Sequence, residues 1–502
     1  MINWRITPTS LKPRFEVEKV FSRLFLTEKL YNWLGILIFF FIAISFGYLM
    51  AQKTQLAINI LILICGLAVL LMCLLNTETG LYIIMVFSFF AFHVSRYFND
   101  TIPVGALSDI LIFTTLFSFF VKRKGLRSII NEFSQKPVVK ILLIIYAYTA
   151  IQLFNPNAQS FDSWYQGFRK VISTLFIFFI AFTVFDSYDR IKRFFYFLFV
   201  LATIAGVYGC YQEWFGLFSF EKNWIITDPH RFGLYFIQGD FRKFSTMSDP
   251  ASFGVLMASC AVLFIILSVE LKGMTKRIML TGSIFMLLGM SYSGTRTANA
   301  MIVGGLILYI LLTINNKRTK NFAIISTLIF LFIMYVPVYS NSTLNRFRTT
   351  FSGKNDESFN VREKNRKFIQ PYIHSHPIGG GIGTTGGTGS VYHPGHVLAG
   401  FQPDSGYLKK AAEIGWIGLA IFCILYFYVL KSGVNGYFYS DNRQHKIIYA
   451  ACICAIFCFY IGEFAQVAIG QITDVVVYYP LIAVILKLKN YDSQSISSFN
   501  NK

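Results

Sequence analysis

The sequence predicts an all-α polytopic membrane protein with about fourteen transmembrane helices, and three observations predict it. Of the 502 residues 55% are hydrophobic and 18% aromatic, and only 14% are charged, whereas a soluble domain carries about 25% charged residues. The apolar residues fall in runs of membrane-spanning length. The basic residues stand in small clusters between alternate runs, as orienting signals at a membrane surface do. A formal charge of +20 would suggest a nucleic-acid partner in a soluble chain. Spread in this way it excludes one and points to the lipid bilayer as the principal partner.

A hydrocarbon core about 30 Å thick needs roughly 20 apolar residues per helix. On that scale spans are expected near 31–50, 56–75, 81–97, 105–121, 138–154, 171–187, 194–218, 250–269, 278–293, 298–315, 322–340, 406–430, 447–465 and 473–487. The segment 1–30 carries Arg5, Lys12, Arg14, Lys19, Arg23 and Lys29 ahead of the first run, which places it in the cytoplasm and does not resemble a cleavable signal peptide. Alternation then puts KRKGLR from Lys122, DRIKR from Asp189, KGMTKR from Lys272, NKRTK from Asn316, the 431–446 segment and a tail over 488–502 on the same side. The expected organisation is a cytoplasmic segment 1–30, spans over 31–340 interrupted by an outer loop near 219–247, a large outer loop over 341–405 between the eleventh and twelfth spans, and final spans over 406–487.

All eight cysteines lie in apolar runs, and no further Cys or His completes a ligand set with Cys452, Cys454 and Cys458, so no metal is expected. The expected outer segments, by contrast, break the positive-inside rule with Arg231, Arg242, Arg296, Arg346, Arg348, Arg362 and Arg366. Solvation of a long loop accounts for part of this set. Arg242 and Arg296 stand within a few residues of an expected membrane edge, where an unpaired arginine is costly and more often marks a site.

Four segments in order carry a resemblance. They are FRKFSTMSDPASFGVLMA from Phe241, SYSGTRTANAMIVGG from Ser291, VREKNRKFIQPYIHSHPIGGGIG from Val361, and DSGYLKKAAEIGWIGL from Asp404. Over about Tyr211 to Leu419 the chain resembles the O-antigen ligase and O-antigen polymerase superfamily of bacterial envelope proteins. The first half contributes no motif to the resemblance.

The resemblance implies a glycosyltransferase-C-like helical fold and metal-independent transfer of glycan from undecaprenyl diphosphate to an acceptor hydroxyl, on the periplasmic face of the bacterial inner membrane. It also leaves room for a chain-length regulator as a partner, and it implies no cofactor. Guanidinium groups suit this chemistry because they pair with phosphate oxygens in a planar fork and stay charged at any relevant pH. Arg242, Arg296 and Arg362 match the arginines of the motifs, and Arg231 is a further substrate-binding candidate. Ligases of the superfamily place a histidine where this chain has Asp404, and D-S-G-Y-L is more similar to the polymerase branch, in which the acceptor is a second lipid-linked repeat unit. Asp404 can take the proton of a sugar hydroxyl or cap the helix that begins near Gly406. His393 and His396, in VYHPGH, are alternative bases or substrate-binding groups, and equally plain turn residues. PIGGGIGTTGGTGS from Pro377 offers backbone N–H groups to a diphosphate or is a flexible loop. Two alternative functions stand beside the polymerase: a ligase moving glycan to lipid A core or protein, and a transporter or flippase using acids such as Asp109, Glu213 and Glu463.

Overall fold

The structure, a computed structural model, describes residues 33–122, 126–237, 239–337, 345, 348, 350–351 and 357–500. Among them the strands are the two short ones of one hairpin, an isolated bridge joins Gly386 to Ala399, and helices make up most of the rest. The long helices are α1 (Trp33–Gln52), α2 (Thr54–Leu75), α3 (Thr77–Tyr97), α4 (Val104–Lys122), α6 (Pro137–Ile151), α7 (Phe161–Val184) and α8 (Tyr188–Trp214) in the first half. In the second half they are α11 (Pro250–Ser268), α12 (Gly273–Tyr292), α13 (Arg296–Thr313), α14 (Lys317–Tyr335), α17 (Gly406–Tyr439), α18 (Arg443–Ala465) and α19 (Ile472–Asn500). Nine of the described helices are long and apolar enough to cross a membrane, which makes this a multi-pass membrane protein.

The connections hold more structure than apolar runs alone suggest. Between α4 and α6 lies α5 (Leu126–Gln135), whose Phe133 is buried against Phe178, Phe179 and Phe182 of α7. One apolar side on a short polar helix is the pattern of an element lying along a membrane surface. The 219–247 segment folds into α9 (Ser219–Ile226), α10 (Pro229–Tyr235) and a hairpin pairing Phe236 with Phe241. The large loop carries α15 (Glu357–Ser375) and α16 (Gly386–Tyr392). Residues 488–500 of the expected tail continue α19.

Helix α11 is the centre of the bundle and packs against α8, α12, α13 and α18. Without water to expel, helices in lipid associate through close van der Waals contact at small residues. Helices α8 and α12 meet in this way at Gly206 and Gly289, where a Cβ on Gly289 would stand 3.2 Å from the Gly206 carbonyl oxygen.

Contacts between non-consecutive elements define two ends of the molecule. At one end Lys487 pairs with Glu132 at 2.8 Å, Arg190 with Glu78 at 3.2 Å and Arg443 with Glu270 at 2.8 Å. At the other, Trp224 Nε1 donates to Asp100, the Arg242 side chain to the turn between α12 and α13, and the Gly406 amide to Gln466. The second end gathers the motif-bearing segments.

Candidate functional site

The turn Ser293–Thr295 links α12 to α13, and Arg296 is the first residue of α13. Two of the motif segments meet here. Arg242 Nε donates to the Ser293 carbonyl at 2.9 Å and its Nη2 to Thr295 Oγ1 at 3.1 Å, while the Lys243 amide donates to the Tyr292 carbonyl at 3.2 Å. Thr295 Oγ1 in turn donates to the Pro250 carbonyl at 3.0 Å. Pro250 opens α11, whose first turn is capped by Asp249 through the amides of Ala251 and Ser252, each at 2.9 Å. Arg242 and Arg296, fifty-odd residues apart in sequence, therefore flank one turn at the loop end. A pair of guanidinium groups beside a helix start is an arrangement suited to anionic phosphate oxygens.

The third and fourth segments meet as well. Asn365 Nδ2 on α15 donates to Asp404 Oδ2 at 2.8 Å. Arg362 lies on the same helix three residues before Asn365, so the helical register sets it one turn away; its side chain lies outside the described residues. One residue beyond Asn365, Arg366 Nη2 donates to the Phe464 carbonyl at 3.4 Å. That carbonyl belongs to the last turn of α18, where Ser405 Oγ also donates to the Glu463 carbonyl at 2.9 Å. The same end of α18 packs on the arginine turn's helix, since a Cβ on Gly462 would stand 3.2 Å from Met301 Sδ of α13.

Capping is not the task of Asp404. The cap of α17 is Ser405, whose side chain accepts from the Leu408 amide at 3.4 Å. Asp404 stands one residue outside the helix and is aimed by Asn365.

Arg231 is committed to scaffolding. It donates to the Trp224 carbonyl at 3.0 Å, pairs with Asp100 and Asp228 at 3.3 Å each, and lies 4.2 Å from the Trp224 ring centre. His393 is fully buried, and its Nδ1 accepts from the Gln159 amide at 3.2 Å. His396 Nδ1 accepts from the Leu398 amide at 3.0 Å, and its Nε2 lies 3.5 Å from Tyr372 Oη. Burial and the neighbouring His396 depress the His393 pKa, and burial and His376 depress that of His396. In each ring the Nδ1 lone pair is taken by a backbone amide. Arg348 donates to the carbonyls of Ile333 and Val336, closing the end of α14, while Arg346 lies outside the described residues.

The glycine-rich segment is tied to the first turns of α17. The Gly380 and Gly381 amides donate to the carbonyls of Ala412 and Glu413 at 2.9 and 2.8 Å, so these donors are already used. Gly415, with φ 73°, interrupts α17 just beyond, and a Cβ there would collide with the Pro377 carbonyl. The E-x-G pattern at Glu413 is therefore the socket for the I-G-G-G run. From the first half, Asn155 and Asn157 donate to the Gly379 carbonyl at 3.2 and 2.9 Å, and Gln152 to that of Ile378 at 3.1 Å. Sequence reasoning found no role for these residues, because Asn and Gln in a short loop carry no pattern of their own.

The acids considered for transport are each held by a base. Asp109 pairs with Arg169 at 3.2 Å, Glu213 with Lys243 at 2.9 Å, and Glu463 with Lys410.

Fold and site together define a multi-pass helical membrane protein with arginines and a carboxylate gathered at one end of its bundle. Residues 281–423 match the family model described as O-antigen ligase, so this part of the chain is similar to that family. The match contains Arg296, Arg362, His393, His396 and Asp404, and Arg231 and Arg242 precede it. Comparison with curated proteins returned no match.

Proposed function

We propose that this protein polymerises lipid-linked oligosaccharide repeat units of O-antigen or exopolysaccharide on the periplasmic face of the inner membrane. The observation that carries the reading is the seating of Arg242 on the turn that leads into Arg296. In the reaction, the bond between the anomeric carbon of the donor glycan and its undecaprenyl diphosphate breaks. A bond forms from that carbon to a hydroxyl oxygen of a second lipid-linked unit, and the hydroxyl proton passes to Asp404. Arg242, Arg296 and Arg362 stabilise the charge that grows on the departing diphosphate, the kind of interaction that supplies a large part of many enzymes' rate acceleration. Arg231 is left out because its guanidinium is taken up by Asp100, Asp228 and Trp224. His393 and His396 shape the loop that carries Asp404.

Counting α1, α4, α12, α14 and α19 with the nine apolar helices gives fourteen spans. With the amino terminus inside, that count puts the Lys487, Arg190 and Arg443 end inside, in keeping with the positive-inside rule, and the arginine turn and 341–405 outside. Cysteines placed at Lys222 and at Ser128, in a background lacking Cys65 and Cys423, test it. The first should react with a membrane-impermeant maleimide in spheroplasts and the second should not; the reverse pattern removes the periplasmic chemistry.

The family description supports a second reading, a ligase that hands glycan to a different acceptor. Purified protein supplied only with lipid-linked repeat units separates the two. A polymerase lengthens them by whole repeats, seen by gel mobility, whereas a ligase leaves them unextended until lipid A core or protein is added. Solute uptake in proteoliposomes without any glycan transfer would sink both.

A further inference from the structure

Arg96 lies near the end of α3, in the half of the chain without motifs, and only 2% of it is exposed. Its guanidinium carbon stands 4.4 Å from the Phe244 ring centre and 5.4 Å from that of Trp224, and its Nη1 donates to the Ser245 carbonyl at 3.0 Å. Its Nε and Nη2 have no hydrogen-bond partner among the described residues. The neighbouring Glu221 carboxylate is occupied otherwise, accepting from Tyr208 and Gln212 at 2.9 Å each and from the Phe218 amide at 3.2 Å. A buried guanidinium with so little compensation is expensive, and it is retained where something depends on it.

What depends on it is Ser245. This residue has φ 51°, a left-handed conformation that a serine adopts only under constraint. Each of its polar groups is bound by α3 or α8. The amide donates to Gln212 Oε1 at 2.8 Å, beside the Phe244 amide at 3.2 Å; the hydroxyl donates to the Ala205 carbonyl at 2.7 Å; the carbonyl accepts from Arg96. Three residues earlier stands Arg242, whose amide donates to the Tyr235 carbonyl at 2.8 Å and whose side chain rests on Ser293 and Thr295. The segment between them is thus gripped from opposite sides.

We infer that Arg96 is a positioning residue for glycosyl transfer, holding the Ser245 carbonyl so that the left-handed turn aims Arg242 at the start of α13. The inference rests on the reading of Arg242 as a diphosphate-binding group. Arginine suits the task because its flat guanidinium fits between two aromatic rings and still donates in its own plane.

A double-mutant cycle tests it on the full chain in proteoliposomes, with elongation of lipid-linked repeat units measured for Arg96→Met, Arg242→Ala and both together. Methionine fills the slot but cannot donate. Arg96→Met alone should lower kcat/KM by about tenfold or more, and in the Arg242→Ala background it should change the rate by less than about twofold, because the two act through one element. An Arg96→Met enzyme at the wild-type rate, or losses that multiply in the double variant, overturns the positioning role. A neutral Arg242→Ala overturns the diphosphate reading instead, and the inference with it. Gel filtration and the thermal midpoint monitor the fold; if Arg96→Met does not fold, Arg96→Leu, which also cannot donate, replaces it under the same criteria.

Discussion

Helices α2 and α11 are both uninterrupted apolar runs of similar length, and their surroundings are opposite. In its most apolar stretch α2 has 6% of its residues buried within the protein, and α11 has 89%. The sequences differ in grain more than in hydrophobicity. Helix α2 reads ILILI through its centre, whereas α11 intersperses Ala251, Ser252, Gly254, Ala258, Ser259 and Ala261 among its larger residues. In lipid an isoleucine gains little by facing another helix, while small residues let backbones approach. Apolarity therefore places a helix in the membrane, and small residues decide whether it faces lipid or protein.

If that contrast extends to function, sensitivity to substitution should follow enclosure at the loop end. The largest effect is expected at Asp404→Asn, which keeps the size and the Asn365 contact but cannot accept a proton. Elongation should drop by roughly 10²-fold or more, with the fold unchanged, since Ser405 and not Asp404 caps α17. A full rate in this variant would remove Asp404 from the chemistry. Arg296→Lys and Arg362→Lys keep charge but lose the fork, and each should cost about tenfold, equivalent to about 1.4 kcal/mol. Lys53, at the lipid-facing junction of α1 and α2, should tolerate alanine without loss; equal losses at both places would break the comparison.

Packing supplies a finer test. A Cβ on Gly254 of α11 would stand 2.5 Å from Ser293 Oγ and 2.8 Å from Thr295 Cβ, against the turn that seats Arg242, whereas Gly66 of α2 has nothing within 4 Å. Gly254→Val should destabilise by about 1–3 kcal/mol, and Gly66→Val by no more than about 1 kcal/mol, read as thermal midpoints in detergent. The smallest effect concerns pH. Because the folded state lowers the His393 pKa, its contribution to stability is complete above the unfolded value of about 6.5. That contribution is lost as pH falls through the folded value. His393→Asn should flatten the decline in thermal midpoint on acidification below about pH 6.5; an unchanged slope would exclude His393 as its source.

Much of this organisation is written in the chain and some is not. Among the described residues a long helix covers most of each expected apolar run, because hydropathy over roughly 20 residues is a sum that few substitutions disturb. The run expected at 171–187 belongs to a helix that begins at Phe161, since the first turns carry Asp162, Arg169 and Lys170 and fall below an apolar threshold while remaining helical. Arg242 and Arg296 were legible as charges near an expected membrane edge, and Arg362 through the resemblance. Arg96 was equally visible as a residue, but only the fold brings it to Ser245, 149 positions away. The glycine-rich run suggested a diphosphate-binding or a flexible loop, and its contact with the break at Gly415 joins positions distant in sequence. Such pairings depend on three-dimensional register, which no local window contains.

The break at Gly415 also sets a length. At 1.5 Å per residue the 34 residues of α17 would extend about 51 Å, far more than a hydrocarbon core of about 30 Å. Divided at Gly415, the stretch from Trp416 to Tyr439 is by itself long enough to cross, and Gly406–Ile414 is left over. That remainder carries Lys409, Lys410 and Glu413 and is joined to the Pro377–Gly381 run. A bilayer of different thickness would be met by tilt of the longer piece, as helices commonly respond to mismatch. The shorter piece keeps its own bearings, so the architecture separates the part of the helix that answers to the membrane from the part that answers to the site.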